Sequence, residues 1–352
     1  MICITSNVAD PLLTTLAQLQ AALDNGGGFN RSFFAAGILK IFRQLDSLPA
    51  HLRGGALAIG NFDGVHLGHA AIVQALKKRA SQYGAAATVF TFDPHPVRLL
   101  RPEQVPPPLT WTDRKAELLA EQGIDAVIAY PTDKALLALS AQEFFEKIVC
   151  ARMGARGMVE GENFYFGRNR EGDIPLLGAL CSAANVDLEI VPPVVLEGKT
   201  VSSSRIRTAL SEGNITTATQ MLTQPYRLRG MVTHGAGRGA TLGFPTANLE
   251  AIDTILPADG VYAGVGHAGN QKWAAAIHIG SNPTFGEMHK KVEVHFLDCS
   301  ETLYGRALEV DFGMRLRDTG TFESTELLTD QVAHDIAEVR RWWAANNTRG
   351  TV

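Results

Sequence analysis

His66 and His69 stand three residues apart in the run Gly60-Asn61-Phe62-Asp63-Gly64-Val65-His66-Leu67-Gly68-His69. Residues three apart on a helix share a face, so on a first turn both imidazoles can point at one anion. A helix start also offers unpaired backbone N–H groups and a partial positive charge, both suited to a phosphate. Gly68, between them, removes a side chain that would hinder close approach of a nucleotide. Two imidazoles aimed at one phosphorus fit nucleotidyl transfer, in which negative charge builds on an α-phosphate as pyrophosphate leaves. An attacking phosphate needs no base. A bare His-x-Gly-His match more often marks a helix start with two surface histidines, but the strand before it and the flanking Gly60 to Val65 weigh against that reading.

A second set lies far downstream. Thr246 and Asn248 are two apart, so on an extended strand both project from one face. A hydroxyl and a carboxamide oxygen are neutral hard ligands, suited to a magnesium ion that already carries nucleotide phosphates. Upstream, Gly235, Gly237 and Gly239 flank Ala236 and Arg238, a spacing that lets backbone amides turn toward a phosphate. Glu293 falls on a strand candidate with His295 on the same face. Its carboxylate is the expected group to take a proton from an attacking hydroxyl in phosphoryl transfer. Each of these alone has a plainer reading as a turn, a wet strand face or a solvated glutamate.

Two smaller groups complete the list. Asn163 can read a flavin or base edge with paired donor and acceptor, and Phe164 and Phe166 offer apolar surface to a ring; an N-capping Asn with two core aromatics is the alternative. Ser202 to Ser204 look first like helix caps, after which Arg205 and Arg207 add fixed positive charge for a leaving pyrophosphate.

These residues need scaffolds of two kinds. From Gly55 to about residue 223, short apolar runs (56–59, 86–92, 126–129, 157–159, 188–191) alternate with helical stretches, among them a capping box of Ser140 with Glu143. Such runs suit a parallel sheet covered on both faces, and the alternation indicates a doubly wound, Rossmann-like α/β domain with its functional residues beyond the carboxyl strand ends. Near Gln224-Pro225 the pattern changes to Gly-punctuated strand candidates at 226–232, 260–265, 273–279, 292–297 and 308–312, which read as an antiparallel β-barrel. Leu328, Val332, Ile336, Val339 and Trp343 then mark an amphipathic closing helix. The expected division is an extension over 1–36 with a short helix near Leu12 to Leu23, an α/β domain over 37–223 and a barrel domain over 224–352.

Length agrees: 352 residues exceed what one core usually organises. Hydrophobic residues make up 45% and the formal charge is -4, with pI near 6.2 and mean hydropathy near zero. The chain therefore lacks a general basic surface, which argues against nucleic acid as a partner. Cysteines at 3, 150, 181 and 299 form no close pair and read as thiols of a reducing compartment. No apolar run approaches the ~20 residues that span a bilayer, and no basic segment followed by an apolar one opens the chain. The expectation is a cytoplasmic protein with small-molecule partners and no membrane; homo-oligomerisation is left open.

The first motif resembles the adenylyltransferase module of the bacterial bifunctional riboflavin kinase/FMN adenylyltransferases, or FAD synthetases. Further motifs follow in that family's order: Thr91-Phe92-Asp93-Pro94-His95-Pro96, Gly161 to Gly167, and Ser202 to Arg207. Ser204 stands where the family usually has Thr, which keeps the hydroxyl. The second half resembles riboflavin kinase through Pro245 to Asn248 and Glu293, with Leu256 to Tyr262, Ile279 to Phe285 and Leu303 to Gly305 also matching. The resemblance runs from about Leu48 to Trp343. It implies that ATP and magnesium serve both reactions, riboflavin to FMN and FMN to FAD. It places His66 and His69 as catalytic groups, with Gly60, Asn61, Phe62, Asp63, Gly68, Ser204, Arg207, Gly235, Gly237, Arg238 and Gly239 at ATP. Phe92, Asn163, Phe164 and Phe166 fall at the flavin, Thr246 and Asn248 at the metal, and Glu293 is the base. The loop 286–290 becomes a flap over the flavin. A single-function adenylyltransferase and a non-catalytic flavin sensor on the same fold are the alternatives.

Overall fold

The computed structural model describes residues 40–46, 48–235, 238–282 and 287–347; the helix expected near Leu12 to Leu23 lies outside them. The chain divides into two compact units, one of residues 36–226 with Thr254–Pro257, the other of Arg227–Asp253 with Ala258–Val352.

In the first unit, β1 (Lys40–Phe42), β2 (Ala56–Ile59), β3 (Ala87–Asp93), β4 (Ala126–Pro131), β5 (Gly157–Gly161) and β6 (Asp187–Val191) form a six-stranded sheet in the order β1-β4-β3-β2-β5-β6. Every pairing is parallel. Alternate residues of each strand feed two cores, one with Leu57, Phe90, Ile128 and Met158, the other with Ala58, Val89, Val127 and Val159. Both faces are therefore dry, which explains the uninterrupted apolar runs. The second core is closed by α1 (Leu67–Tyr83), which buries Val73 and Leu76, and by α2 (Thr112–Glu121), which buries Leu118 and Leu119. Each such side chain contributes about 1.5–3 kcal/mol. The other face carries the capping-box turn Ala141–Phe144, continued as a π-helical stretch Phe145–Arg152, and α3 (Ile174–Ala184). The strand order reverses between β2 and β5, where a doubly wound sheet opens its crevice. After a two-stranded ribbon, β7 (Val195–Leu196) and β8 (Lys199–Thr200), helices α4 (Ser203–Ser211) and α5 (Ile215–Met221) complete the unit.

The second unit is a closed barrel of β9 (Arg227–Thr233), β10 (Ala247–Glu250), β11 (Gly260–Ala268), β12 (Gln271–Asn282), β13 (Glu287–Phe296) and β14 (Ala307–Arg317), ordered β10-β13-β12-β11-β14-β9 with all pairs antiparallel. Closure leaves no free sheet edge. Helix α6 (Thr325–Asn347) packs Val339 with Ala263, Ala274 and Leu297, the closing helix that the spacing from Leu328 to Trp343 predicts. One strand lies outside the expected set and one expectation is corrected. The strand β1 pairs with β4 although its three residues carry too short a pattern to be legible. Residues 287–290, expected as a flap, are the first residues of β13, with Glu287 paired to Asn282.

Candidate functional site

At the carboxyl end of β2 the chain turns through Phe62 (φ 46°), Gly64 (φ 84°) and Val65 (φ 39°) before entering α1. His66 is the N-cap: its Nδ1 accepts from the His69 N–H at 3.3 Å. In a neutral ring that bond leaves the proton on Nε2. The His66 and His69 rings stack with centroids 3.7 Å apart and planes 14° apart. Burial pushes His66 down to about 4 and His69 well below the usual imidazole range, the latter helped by the charges of His66 and Lys115. Both rings are thus neutral donors and acceptors at pH 7. A Cβ on Gly68 would lie 3.1 Å from the His66 ring, so the glycine first of all leaves room for that ring.

Two buried atoms here lack a partner among the described residues, Asn61 Oδ1 and His69 Nδ1. Buried polar atoms are seldom left unpaired, and two together fit a polar ligand. The Asn61 carbonyl accepts from Thr91 Oγ1 at 3.1 Å, and that hydroxyl also accepts from Lys115 Nζ at 3.4 Å. Lys115 lies on α2, is 8% exposed, and has its pKa lowered by burial against the pull of Asp63 and Asp93. No sequence motif pointed to it.

Several residues expected at ATP are committed elsewhere. The Asp63 carboxylate accepts from the N–H groups of Leu109 (3.0 Å) and Thr110 (3.1 Å) and pairs with Arg207. Arg207 also donates to the Pro107 carbonyl at 2.7 Å, so the free charge expected of it is already balanced within the protein. Arg205 donates to the carbonyls of Leu196 and Lys199, both at 3.0 Å, and ties the β7–β8 ribbon to α4. Phe62 is 2% exposed and its ring sits 5.0 Å from that of His69; it supports the imidazole from the core and offers no surface to a nucleotide. Gly60 is needed because a Cβ there would meet the Phe62 ring at 3.2 Å. Ser202 caps α4, Ser203 donates to the Asp63 carbonyl at 2.9 Å, and Ser204 is exposed on the first turn.

At the expected flavin residues, Asn163 lies exposed in the turn after β5. Phe166 is buried at 7% and stacks under Phe164, with centroids 5.4 Å apart. Phe164 and Phe92 are partly buried on the rim of the same core, so the apolar edge is theirs, and Phe166 is their support.

In the barrel unit the register assembles the second set. Asn248 on β10 lies opposite Glu293 on β13, which lies opposite His278 on β12. Cross-strand partners share a face, so the three form one row, with His278 Nδ1 3.8 Å from Glu293 Oε2. Asn248 is also opposite Thr233, whose buried Oγ1 has no partner among the described residues. The row is on the outer wall, since the intervening Leu249, Val292, Val294, Ile277 and Ile279 are buried. His278 escaped sequence reading because nothing local distinguishes a histidine on a strand. A Cβ on Gly235 would fall 2.0 Å from Asn248 Nδ2, and one on Gly239 2.5 Å from the Phe244 carbonyl. The loop therefore closes on the Thr246–Asn248 segment. His295 is bonded to the Pro245 carbonyl at 2.8 Å and so holds that segment. Gly237 and the Arg238 side chain lie outside the described residues.

Comparison with known proteins gives two family matches, an FAD synthetase over residues 48–205 and a riboflavin kinase over 222–343. A bifunctional riboflavin kinase/FMN adenylyltransferase of Escherichia coli K12 is 33% identical over 307 residues, which is 87% of this chain and 98% of the relative. Another of that description, from Pseudomonas fluorescens, is 35% identical over 86% of this chain and 97% of its own. A crystal structure of a macrolide-efflux protein from Streptococcus pneumoniae superposes with a TM-score of 0.76 at 30% identity, covering 87% of this chain and 99% of that one. Among the described residues no helix is long and apolar enough to cross a membrane.

Proposed function

The chain belongs to the family of bifunctional riboflavin kinases/FMN adenylyltransferases, and on that premise we propose which residues carry each reaction. The enzyme phosphorylates riboflavin to FMN and adenylylates FMN to FAD, with ATP as the donor in both. We assign adenylyl transfer to residues 37–223 and phosphorylation to 224–352, a division supported by the separate family matches.

In the α/β unit, a phosphate oxygen of FMN forms a bond to the α-phosphorus of ATP, and the bond to the β-phosphate oxygen breaks with its electron pair leaving on pyrophosphate. Neutral His66 and His69 hydrogen-bond the phosphate oxygens, with the α1 N-terminus adding its partial positive charge. Ser204, exposed on the first turn of α4, is available to the same phosphates. Phe92, Phe164 and Asn163 present the flavin edge.

In the barrel, Glu293 takes the proton of the ribityl 5'-hydroxyl as its oxygen bonds to the γ-phosphorus and ADP departs. His278 is placed to steer the Glu293 carboxylate. The donor set suits magnesium: Thr246 and Asn248 are neutral hard oxygens, and the unpartnered Thr233 hydroxyl faces the same row. Bound there with ATP, the ion would offset phosphate charge. The three described cysteines are free thiols, in keeping with a cytoplasmic setting.

The observation that carries this assignment is that the stacked imidazoles and the Asn248–Glu293–His278 row each arise within one unit. Incubation of the protein with riboflavin, ATP and magnesium, followed by chromatography, tests it. FMN should appear first and FAD after it. No FMN removes the kinase assignment; FMN that never becomes FAD removes the other.

A further inference from the structure

The positive groups expected at the α-phosphate are already engaged within the α/β unit. Its histidines are neutral by burial, Arg207 is spent on Asp63, and Arg205 on two carbonyls of the ribbon. Lys115 is different. It is 8% exposed, and among the described residues it makes no ion pair: Asp63 is held by Arg207 and Asp93 by Arg43. Its neighbour on α2, Arg114, is equally buried but has Glu117 at 3.1 Å. The bond from Lys115 to Thr91 Oγ1 is long, at 3.4 Å, and Thr91 in turn holds the Asn61 carbonyl. Its charge is felt by both His69 and His95. The ammonium therefore belongs to the cluster that holds the two unpartnered atoms, Asn61 Oδ1 and His69 Nδ1. Asp63 and Asp93 attract it from a distance but are shared with arginines, and a buried cation with no carboxylate in contact is disfavoured unless an anion joins it.

We propose that Lys115 is a catalytic residue of adenylyl transfer, whose ammonium contacts a non-bridging oxygen of the ATP α-phosphate. The inference rests on the assignment of that reaction to this unit. The lysine stabilises the charge that accumulates as the FMN oxygen bonds to phosphorus and the bond to the β-phosphate oxygen breaks. No proton moves and no redox partner is needed.

The test uses full-length Lys115→Met, which removes the charge and keeps most of the volume, and Lys115→Ala with added n-propylammonium. For Lys115→Met, kcat for FAD formation should fall about 10²-fold or more, with KM for FMN little changed. Riboflavin phosphorylation should persist, and the melting temperature should hold or rise, because a buried charge has been replaced by an apolar group of similar shape. Added n-propylammonium should restore part of the activity of Lys115→Ala. FAD formation by Lys115→Met within about threefold of wild type would overturn the proposal. So would a lowered melting temperature combined with no rescue by the amine, which would make the lysine a structural group. Wild-type protein that forms FMN but no FAD would overturn the adenylyltransferase assignment itself, and the role of Lys115 with it.

Discussion

The two proposed sites would handle the same nucleotide by opposite means. In the α/β unit the groups assigned to the reaction are desolvated, with His66 7% and Lys115 8% exposed, while on the barrel wall the side chains of Glu293 and His278 keep 20% and 23%. A closed site tolerates little unbalanced charge, so its histidines are neutral and its acids are taken up by Arg43 and Arg207, which leaves Lys115 for an anionic ligand. A wall open to solvent can carry a carboxylate without a buried counter-charge. The chemistry runs in parallel with this difference. An attacking phosphate arrives already ionised and needs donors, whereas an attacking hydroxyl must lose a proton and needs a base.

The comparison breaks first at the imidazoles. His66→Ala with His69→Ala should lower FAD formation from supplied FMN by at least ~10⁴-fold, two donors at about 10² each, while FMN formation from riboflavin continues. Equal loss of both activities would show that the two sites are not independent. The reciprocal change, Glu293→Gln, should slow riboflavin phosphorylation by about 10²–10³-fold and leave adenylylation of supplied FMN intact; kinase turnover at a near-normal rate would remove its role as base. Gly235→Ala should be milder. Its Cβ would fall 2.0 Å from Asn248 Nδ2, and overpacking of about 1–3 kcal/mol, were all of it to fall on nucleotide binding, corresponds to roughly a 5- to 140-fold rise in the kinase's KM for ATP. The gentlest test changes no residue. Because burial lowers His66 to about 4, its ring stays neutral as pH falls past 6.5 and gains a proton only near 4. NMR titration of the imidazole carbons should place its midpoint there; a midpoint near 6.5 would mean a solvated ring and remove the contrast between the two sites.

Much of this architecture was legible because its signals are local. The apolar runs of β2 to β6 reveal a sheet covered on both faces, the Ser140 and Glu143 box forms as expected, and the spacing from Leu328 to Trp343 gives the helix that closes on Val339. Helical spacing puts His66 and His69 on one turn, and Asn248 falls on β10 with Thr246 just before it, so much of each candidate set could be read from neighbours in the chain.

What the sequence could not determine depends on partners brought from far away. Asp63 resembled a nucleotide contact until Arg207, 144 residues on, proved to be its partner. Lys115 meets Thr91 across 24 residues, and His278 meets Glu293 only through the pairing of β12 with β13. Phe166 and Phe164 have the same chemistry, and only packing decides which is buried. Spacing along the chain fixes which side chains share a turn or a strand face, because backbone geometry repeats over a few residues. Which of those groups is desolvated, and which charge is already neutralised, is set by the fold that brings distant residues together.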